Sequence, residues 1–220
     1  MTEFEPWKFE DGKCIRAEQS EWDTIRRLQT AACVAESSES PDRYRPLIRV
    51  TTDVFRERTD CYLHDLFGLI DSCPNLDFLI ETEFPERVHG VIQTSSSVSY
   101  SESKGMHYRD NLHLAAIVNN QLEADERIPQ LLHLKDLCKT VGVNWNPCGG
   151  EIDFKLNVTY ENEPFFDFLV IGEKSVKRQT SNLAHIRSVI GECENAGVEV
   201  RIRSLGNWPT DLQLYAETKR

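Results

Sequence analysis

The sequence is short of positive charge: 25 Lys and Arg stand against 36 Asp and Glu in 220 residues, a formal net charge of −11. A protein that coats nucleic acid needs a basic face to displace phosphate counterions, so nucleic acid is not expected as a direct partner. Long apolar runs are also missing. No stretch approaches the ~18 residues of a membrane span, and the opening Met1-Thr2-Glu3-Phe4-Glu5 is acidic rather than signal-like, so no membrane partner is expected. The seven cysteines are an odd, scattered set, which fits a reduced, cytoplasmic protein better than a disulfide framework. The one glycine pair, Gly149-Gly150, lacks the GxGxxG or Walker spacing and identifies no phosphate loop. What remains is enough to build a core: 40% of residues are hydrophobic and 28% charged, too apolar a balance for a chain disordered throughout.

Six short apolar runs punctuate the chain: 47–52 (LIRVTT), 76–82 (LDFLIET), 112–118 (LHLAAIV), 141–145 (VGVNW), 166–172 (FDFLVIG) and 198–203 (VEVRIR). Each is rich in β-branched or aromatic residues and reads as a strand. They recur about every 30 residues, the length of one βα unit. Helical periodicity fills several gaps. Leu63, Leu66, Phe67, Ile70 and Cys73 form one stripe, stopped by Pro74. Leu183, Ile186, Val189, Ile190 and Cys193 form another, with Ser181 as N-cap and Gly197 at the left-handed position after its end. Leu131, Leu134, Leu137 and Cys138 suggest a third, with Pro129 in its first turn.

Strands alternating with helices imply a parallel sheet. A complete eight-fold barrel takes about 250 residues, more than this chain has, so a partial (βα) barrel of about six parallel strands is expected, TIM-like in type. Period alone leaves the doubly wound open sheet as a competitor. The division expected is an N-terminal extension, 1–46, carrying one amphipathic helix over 20–35 with Trp22, Ile25, Leu28, Ala32 and Cys33 toward one side, and a barrel domain, 47–220. A polar connector (Glu36-Ser37-Ser38-Glu39-Ser40-Pro41) and a Ser-rich stretch at 93–104 read as loops. A partial barrel has open edges that something must cover, and the 20–35 helix is expected to lie over an edge or across one end.

Residues 111–132, NLHLAAIVNNQLEADERIPQLL, resemble the central segment of a phage-associated family of unknown function called after phage gene products thirty-seven and sixty-eight, whose members are distant relatives of the radical S-adenosylmethionine barrels. Ala124-Asp125-Glu126-Arg127-Ile128-Pro129 is the most specific block. Residues 78–88 (FLIETEFPERV) are similar to the family's strand and turn ending in Pro-Glu-Arg, and 184–208 resemble its last helix and strand. The resemblance implies a radical-SAM-like barrel with an iron–sulfur cluster and S-adenosylmethionine. The family's N-terminal cysteine cluster and the Tyr-Ala-Glu after it have no counterpart here, however. Cluster ligation needs thiolates close together on one loop, so no cofactor and no metal site are expected. Other polar family positions have drifted as well: Glu83-Phe84, Asn146-Pro147, Gly172-Glu173-Lys174-Ser175 and Arg203-Ser204-Leu205-Gly206 replace the family's residues.

Ligands of parallel α/β folds bind beyond the C-terminal ends of the strands. Those exits carry Asp53, Glu81, Glu83, Asn119, Asn146, Glu173, Lys174 and Arg203, a polar ring of mixed sign. It suits a small polar ligand, and the same residues equally serve as turn and helix caps. Glu81 and Glu83 with Asp53 could supply paired carboxylates for acid–base or metal chemistry, provided the strand runs past Thr82. Cys61 and His64 are half a metal site, and Cys148 sits in a turn with no base placed near it. The expectation is therefore a catalytically silent, degenerate barrel acting on a small polar ligand or a protein partner as a binding or interaction module. The alternative is an enzyme of altered chemistry using Asp53, Glu81, Lys174 and Arg203 on a small polar substrate.

Overall fold

A computed structural model describes residues 1–10, 13–36, 45–56, 60–94, 108–156, 159–160, 163–172, 183–203 and 212. The connector at 37–41, the Ser-rich stretch at 95–104, Ser181, Glu173 and Lys174 lie outside the described residues. The elements in chain order are β1 (Thr2–Phe4), β2 (Trp7–Glu10), β3 (Lys13–Arg16), α1 (Gln19–Glu36), β4 (Leu47–Val50), α2 (Asp60–Ser72), β5 (Asp77–Thr82) and α3 (Pro85–Thr94). There follow β6 (Arg109–Val118), α4 (Gln121–Arg127), β7 (Cys138–Trp145), β8 (Thr159–Tyr160), β9 (Glu163–Pro164), β10 (Phe168–Ile171), α5 (Leu183–Ala196) and β11 (Glu199–Ile202).

The architecture is α/β, with seven parallel strands and five helices. The strand order is β1-β4-β5-β6-β7-β10-β11. Strands are therefore laid down in chain order from one edge to the other. A doubly wound sheet reverses direction at a switch point; this one never does, and the topology is that of a partial (βα) barrel. The six strands expected from periodicity are all present. The seventh is β1, which pairs in parallel with β4, Phe4 opposite Val50, so the first residues of the chain extend the sheet by one strand.

The chain forms two compact units, Met1–Leu114 with Asp136–Lys139, and Ala115–Lys135 with Thr140–Arg220. In the first, β4 alternates, burying Ile48 and Val50 and leaving Arg49 half-buried. Strand β5 is buried from Phe78 to Thr82, the continuous run expected of a parallel strand covered on both faces. Helix α1 turns Trp22 edge-on to Phe4, centroids 5.2 Å apart, and buries Ile25 beside it. Cys33, expected on that apolar side, is exposed, because the buried stripe fades toward the helix end, where Leu28 and Ala32 are only half-covered. Helix α2 buries Leu63, Leu66, Phe67 and Ile70, with Cys73 buried just beyond its end. Its C-terminal carbonyls, orphaned by the end of the helix, are met by Asn111 Nδ2, which donates to Ile70 O at 3.0 Å and Cys73 O at 3.1 Å. Arg109 grips Asp71 with Nε at 2.7 Å and Nη2 at 3.1 Å and lies over the Phe67 ring.

In the second unit, β10 pairs with β7 and β11, Phe168 opposite both Gly142 and Glu199. Gly142 is required by that register, since a Cβ there would enter the Phe168 ring. Helix α5 buries Ile186, Val189, Ile190 and Cys193 of the expected stripe, and leaves Leu183, its first residue, half-buried. Gly197, at φ +73, ends it, with Val198 N–H donating to Cys193 O at 2.8 Å. The expected third helix differs. Its stripe divides between a 3-10 segment at Ile128–Leu134, which holds Leu131 and Leu134, a turn that holds Leu137, and β7, which opens on Cys138. Leu137 is buried in the turn before β7 and Cys138 is buried as its first strand residue, neither as a helix residue, because an apolar run of mixed period does not mark where a helix gives way to a strand.

Candidate functional site at the strand exits

In the first unit the exits of β4 and β5 meet at Asp53. Its Oδ1 accepts from Thr82 Oγ1 at 2.7 Å and from Phe55 N at 3.2 Å, and its Oδ2 accepts from Glu83 N at 2.9 Å. Thr82 Oγ1 in turn accepts from Phe84 N at 2.9 Å, and Arg87 Nη1 reaches Phe55 O at 2.6 Å. One carboxylate thus caps two turns. Glu83 meets it through its backbone, not its side chain.

Glu81 takes another direction. Strand β5 ends at Thr82, so Glu81 and Glu83 do not form the paired carboxylates a longer strand would give. Glu81 is 5% exposed, and its Oε2 accepts from Arg49 Nε at 3.2 Å and Nη2 at 2.9 Å. Arg49 Nη1 also donates to Glu3 Oε1 at 3.0 Å, so a guanidinium on β4 is held between carboxylates of β5 and β1. Burial by itself would lower the Arg49 pKa, but Glu81, then Glu3, outweigh it and raise it. The cation is permanent.

At the N-terminal end of β5, Asp77 stands 3.5 Å from Arg45 Nη1, 3.4 Å from Lys139 Nζ and 3.5 Å from His113 Nε2. Burial would raise the Asp77 pKa. The hydrogen bond and charge of His113, followed by the charges of Lys139 and Arg45, overcome this and hold it below the usual carboxylate range.

In the second unit the exit of β6 is built around Glu123. Asn120 caps α4, its Oδ1 accepting from Glu123 N at 3.0 Å. The Glu123 carboxylate accepts from Asn119 N and Nδ2 at 2.9 Å each, from Asn120 Nδ2 at 3.0 Å and from Arg127 Nη1 at 2.9 Å. This is a capping box extended by one asparagine and one arginine. Arg127 Nη1 also donates to Ile117 O at 2.6 Å. At the exit of β7, Asn146 acts through its backbone: its N–H donates to Val118 O at 3.2 Å and its carbonyl accepts from Gly149 N at 3.2 Å. Gly149 lies so close to the Asn119 carbonyl that a Cβ would collide with it. Arg203 N donates to Ile171 O at 2.9 Å, and its side chain packs along Gly172.

Of the residues singled out from sequence, the structure brings Asp53 and the backbone of Glu83 together, pairs the Glu81 side chain with Arg49, and sets Asn119, Asn146 and Arg203 at their strand exits. Sequence reasoning missed Arg49, Glu3 and Glu123. Arg49 carried a signal, a charge alternating with Ile48 and Val50 in a strand, but its partners follow from cross-strand register. Glu123 carried a clearer one, three residues after Asn120.

Among the described residues, no group of three or more His, Cys, Asp or Glu is placed to hold a metal ion. The described thiols sit on separate elements: Cys14 on β3, Cys33 on α1, Cys73 after α2, Cys138 on β7 and Cys193 on α5. Burial, followed by the negative Glu192 and Glu194, pushes Cys193 up to about 12. Burial also raises Cys73, against a Ser72 hydrogen bond and the Arg26 charge. No helix is long and apolar enough to cross a membrane among the described residues. A family model, DUF5131, described as a protein of unknown function, matches residues 8–220. No curated protein matches the chain.

Proposed function

The chain belongs to the DUF5131 family, and from that premise we propose that it is a catalytically silent barrel, related to the phage-associated and radical S-adenosylmethionine lineages, that works as a cytoplasmic binding or interaction module. The observation that carries this reading is the engagement of the strand exits with the chain itself. Asp53 accepts one hydroxyl and two backbone N–H bonds, and Glu123 accepts four bonds from its own turn and helix. Glu81 is locked to Arg49. An acid–base catalyst needs a carboxyl able to exchange a proton with substrate; these three are used as fasteners. An enzyme of altered chemistry at Asp53 and Glu81 would first have to break them.

The donor chemistry also disfavours the family's implied cofactor. A cluster takes three thiolates from one short loop, whereas the described cysteines come singly from different elements, and the Cys193 thiol is kept protonated by burial. The residues present do not fit an iron–sulfur cluster.

Anaerobic purification followed by reconstitution with iron and sulfide tests this reading, with bound iron, acid-labile sulfide and S-adenosylmethionine binding measured. The expected result is no stoichiometric iron and no saturable binding. A stoichiometric cluster would overturn the proposal.

A further inference from the structure

Past β7 the chain runs back over the second unit as a strap, residues 150–156. Ile152, Phe154 and Leu156 are buried while Glu151, Asp153 and Lys155 are exposed. Phe154 meets Trp145 edge-on at 5.4 Å and Phe166 at 6.2 Å. Three anchors hold the strap. Gln121 of α4 grips the backbone of Asp153 as a neighbouring strand would, Oε1 accepting from Asp153 N at 2.8 Å and Nε2 donating to Asp153 O at 3.1 Å. Lys155, at φ 52, is fixed by its N–H on Asp153 Oδ1 at 2.8 Å and by its Nζ on Asp125 at 2.6 Å. The third anchor is different in kind: Ile152 N–H donates to His185 Nε2 at 3.1 Å, and the His185 ring stands edge-on to Trp145 at 5.6 Å.

An imidazole nitrogen accepts a hydrogen bond only when it carries no proton. Nε2 of His185 therefore bears a lone pair toward Ile152, and the ring proton is on Nδ1. Protonation makes both nitrogens donors and turns this contact into two N–H groups facing one another. We infer that His185 is a proton-operated latch: neutral, it holds the first half of the 150–156 strap over Trp145, and charged, it releases it.

The other anchors are not held by an imidazole lone pair. Hydrogen bonds from Lys155 and then Gln121 hold Asp125 below the usual carboxylate range, and Asp125 raises Lys155, while the Gln121 amide does not titrate. Release is thus confined to the end near Ile152. Of the charged groups around the latch, Glu151 and Asp153 flank Ile152 on the strap, Arg187 lies two residues along α5, and Asp125 and Lys155 are joined to each other; β7 brings the uncharged Asn144 and Trp145. One further observation makes the closed strap easy to open. The fully buried Trp145 indole N–H has no hydrogen-bond partner among the described residues, a cost that lifting the strap would relieve by admitting water.

Hydrogen–deuterium exchange of the peptide spanning 150–156, corrected for intrinsic rates, tests the latch in the full chain at pH 8 and pH 5. Wild type is expected to lose protection about fivefold at the lower pH, the change for one hydrogen bond of average strength. His185→Gln, whose amide oxygen accepts from Ile152 at either pH, is expected to keep its protection at pH 5. Equal protection of wild type at both pH values would overturn the inference, whatever the variant does. So would an equal loss in wild type and His185→Gln.

Discussion

A carboxylate that accepts from one hydroxyl and two backbone N–H groups has no neutral substitute, because an amide offers only one accepting atom. Asp53 stands in that position between Phe55, Thr82 and Glu83. In either orientation of an asparagine, an amide donor would face a backbone N–H. Asp53→Ala is expected to cost about 2–3 kcal/mol through its unsatisfied backbone donors, with Asp53→Asn falling between it and wild type. Urea unfolding measures both. If Asp53→Ala is as stable as wild type, the residue is not a fastener and becomes available for catalysis. Glu123, whose partners Asn119, Asn120 and Arg127 all lie within four residues of it, left a local signal that the sequence reading missed, whereas the partners of Arg49, Glu81 and Glu3, lie 32 and 46 residues away.

At the scale of elements, periodicity made the α2 and α5 stripes legible, and both bury the residues expected of them except Leu183, which is half-buried at the start of α5. It also located six of the seven strands, since each is an apolar run long enough to stand out. Strand β1 is three residues, Thr-Glu-Phe, too short and too acidic to show a pattern; pairing with β4 makes it a strand. The positions of the exits were legible, but whether their side chains were free was not, because hydrogen-bond partners come from register and turn geometry. Asp77 at the start of β5 illustrates this, gathering Arg45 from just before β4, His113 from β6 and Lys139 from β7. Its folded pKa is depressed, so its contribution to stability is present above the unfolded value of about 3.9 and is lost as pH falls through the lower folded value. Asp77→Asn should therefore be less stable than wild type at pH 7, with the gap closing only below about pH 4. A gap that closed already between pH 7 and 5 would show that the Asp77 carboxylate does not carry the effect.

For the whole molecule, the scattering of the described thiols is the property on which the proposed absence of cluster chemistry rests, and it can be read site by site. Cys33 is exposed on α1, while Cys73, Cys138 and Cys193 are buried on three different elements. Alkylation requires both access and the thiolate. With its thiol pushed up to about 12, Cys193 is ionised in about one molecule in ten thousand at pH 8, in addition to being enclosed under α5. Limited alkylation at pH 8, followed by peptide mass mapping, should modify Cys33 first. Cys73, Cys138 and Cys193 should be modified only as denaturant unfolds the chain, Cys193 with the steepest dependence on unfolding. Three sulfurs prepared for a cluster would instead be protected together by added iron and exposed together on its removal. Native alkylation of Cys193 at a rate near that of Cys33 would show that α5 does not enclose it, and would reopen the question of what that thiol binds.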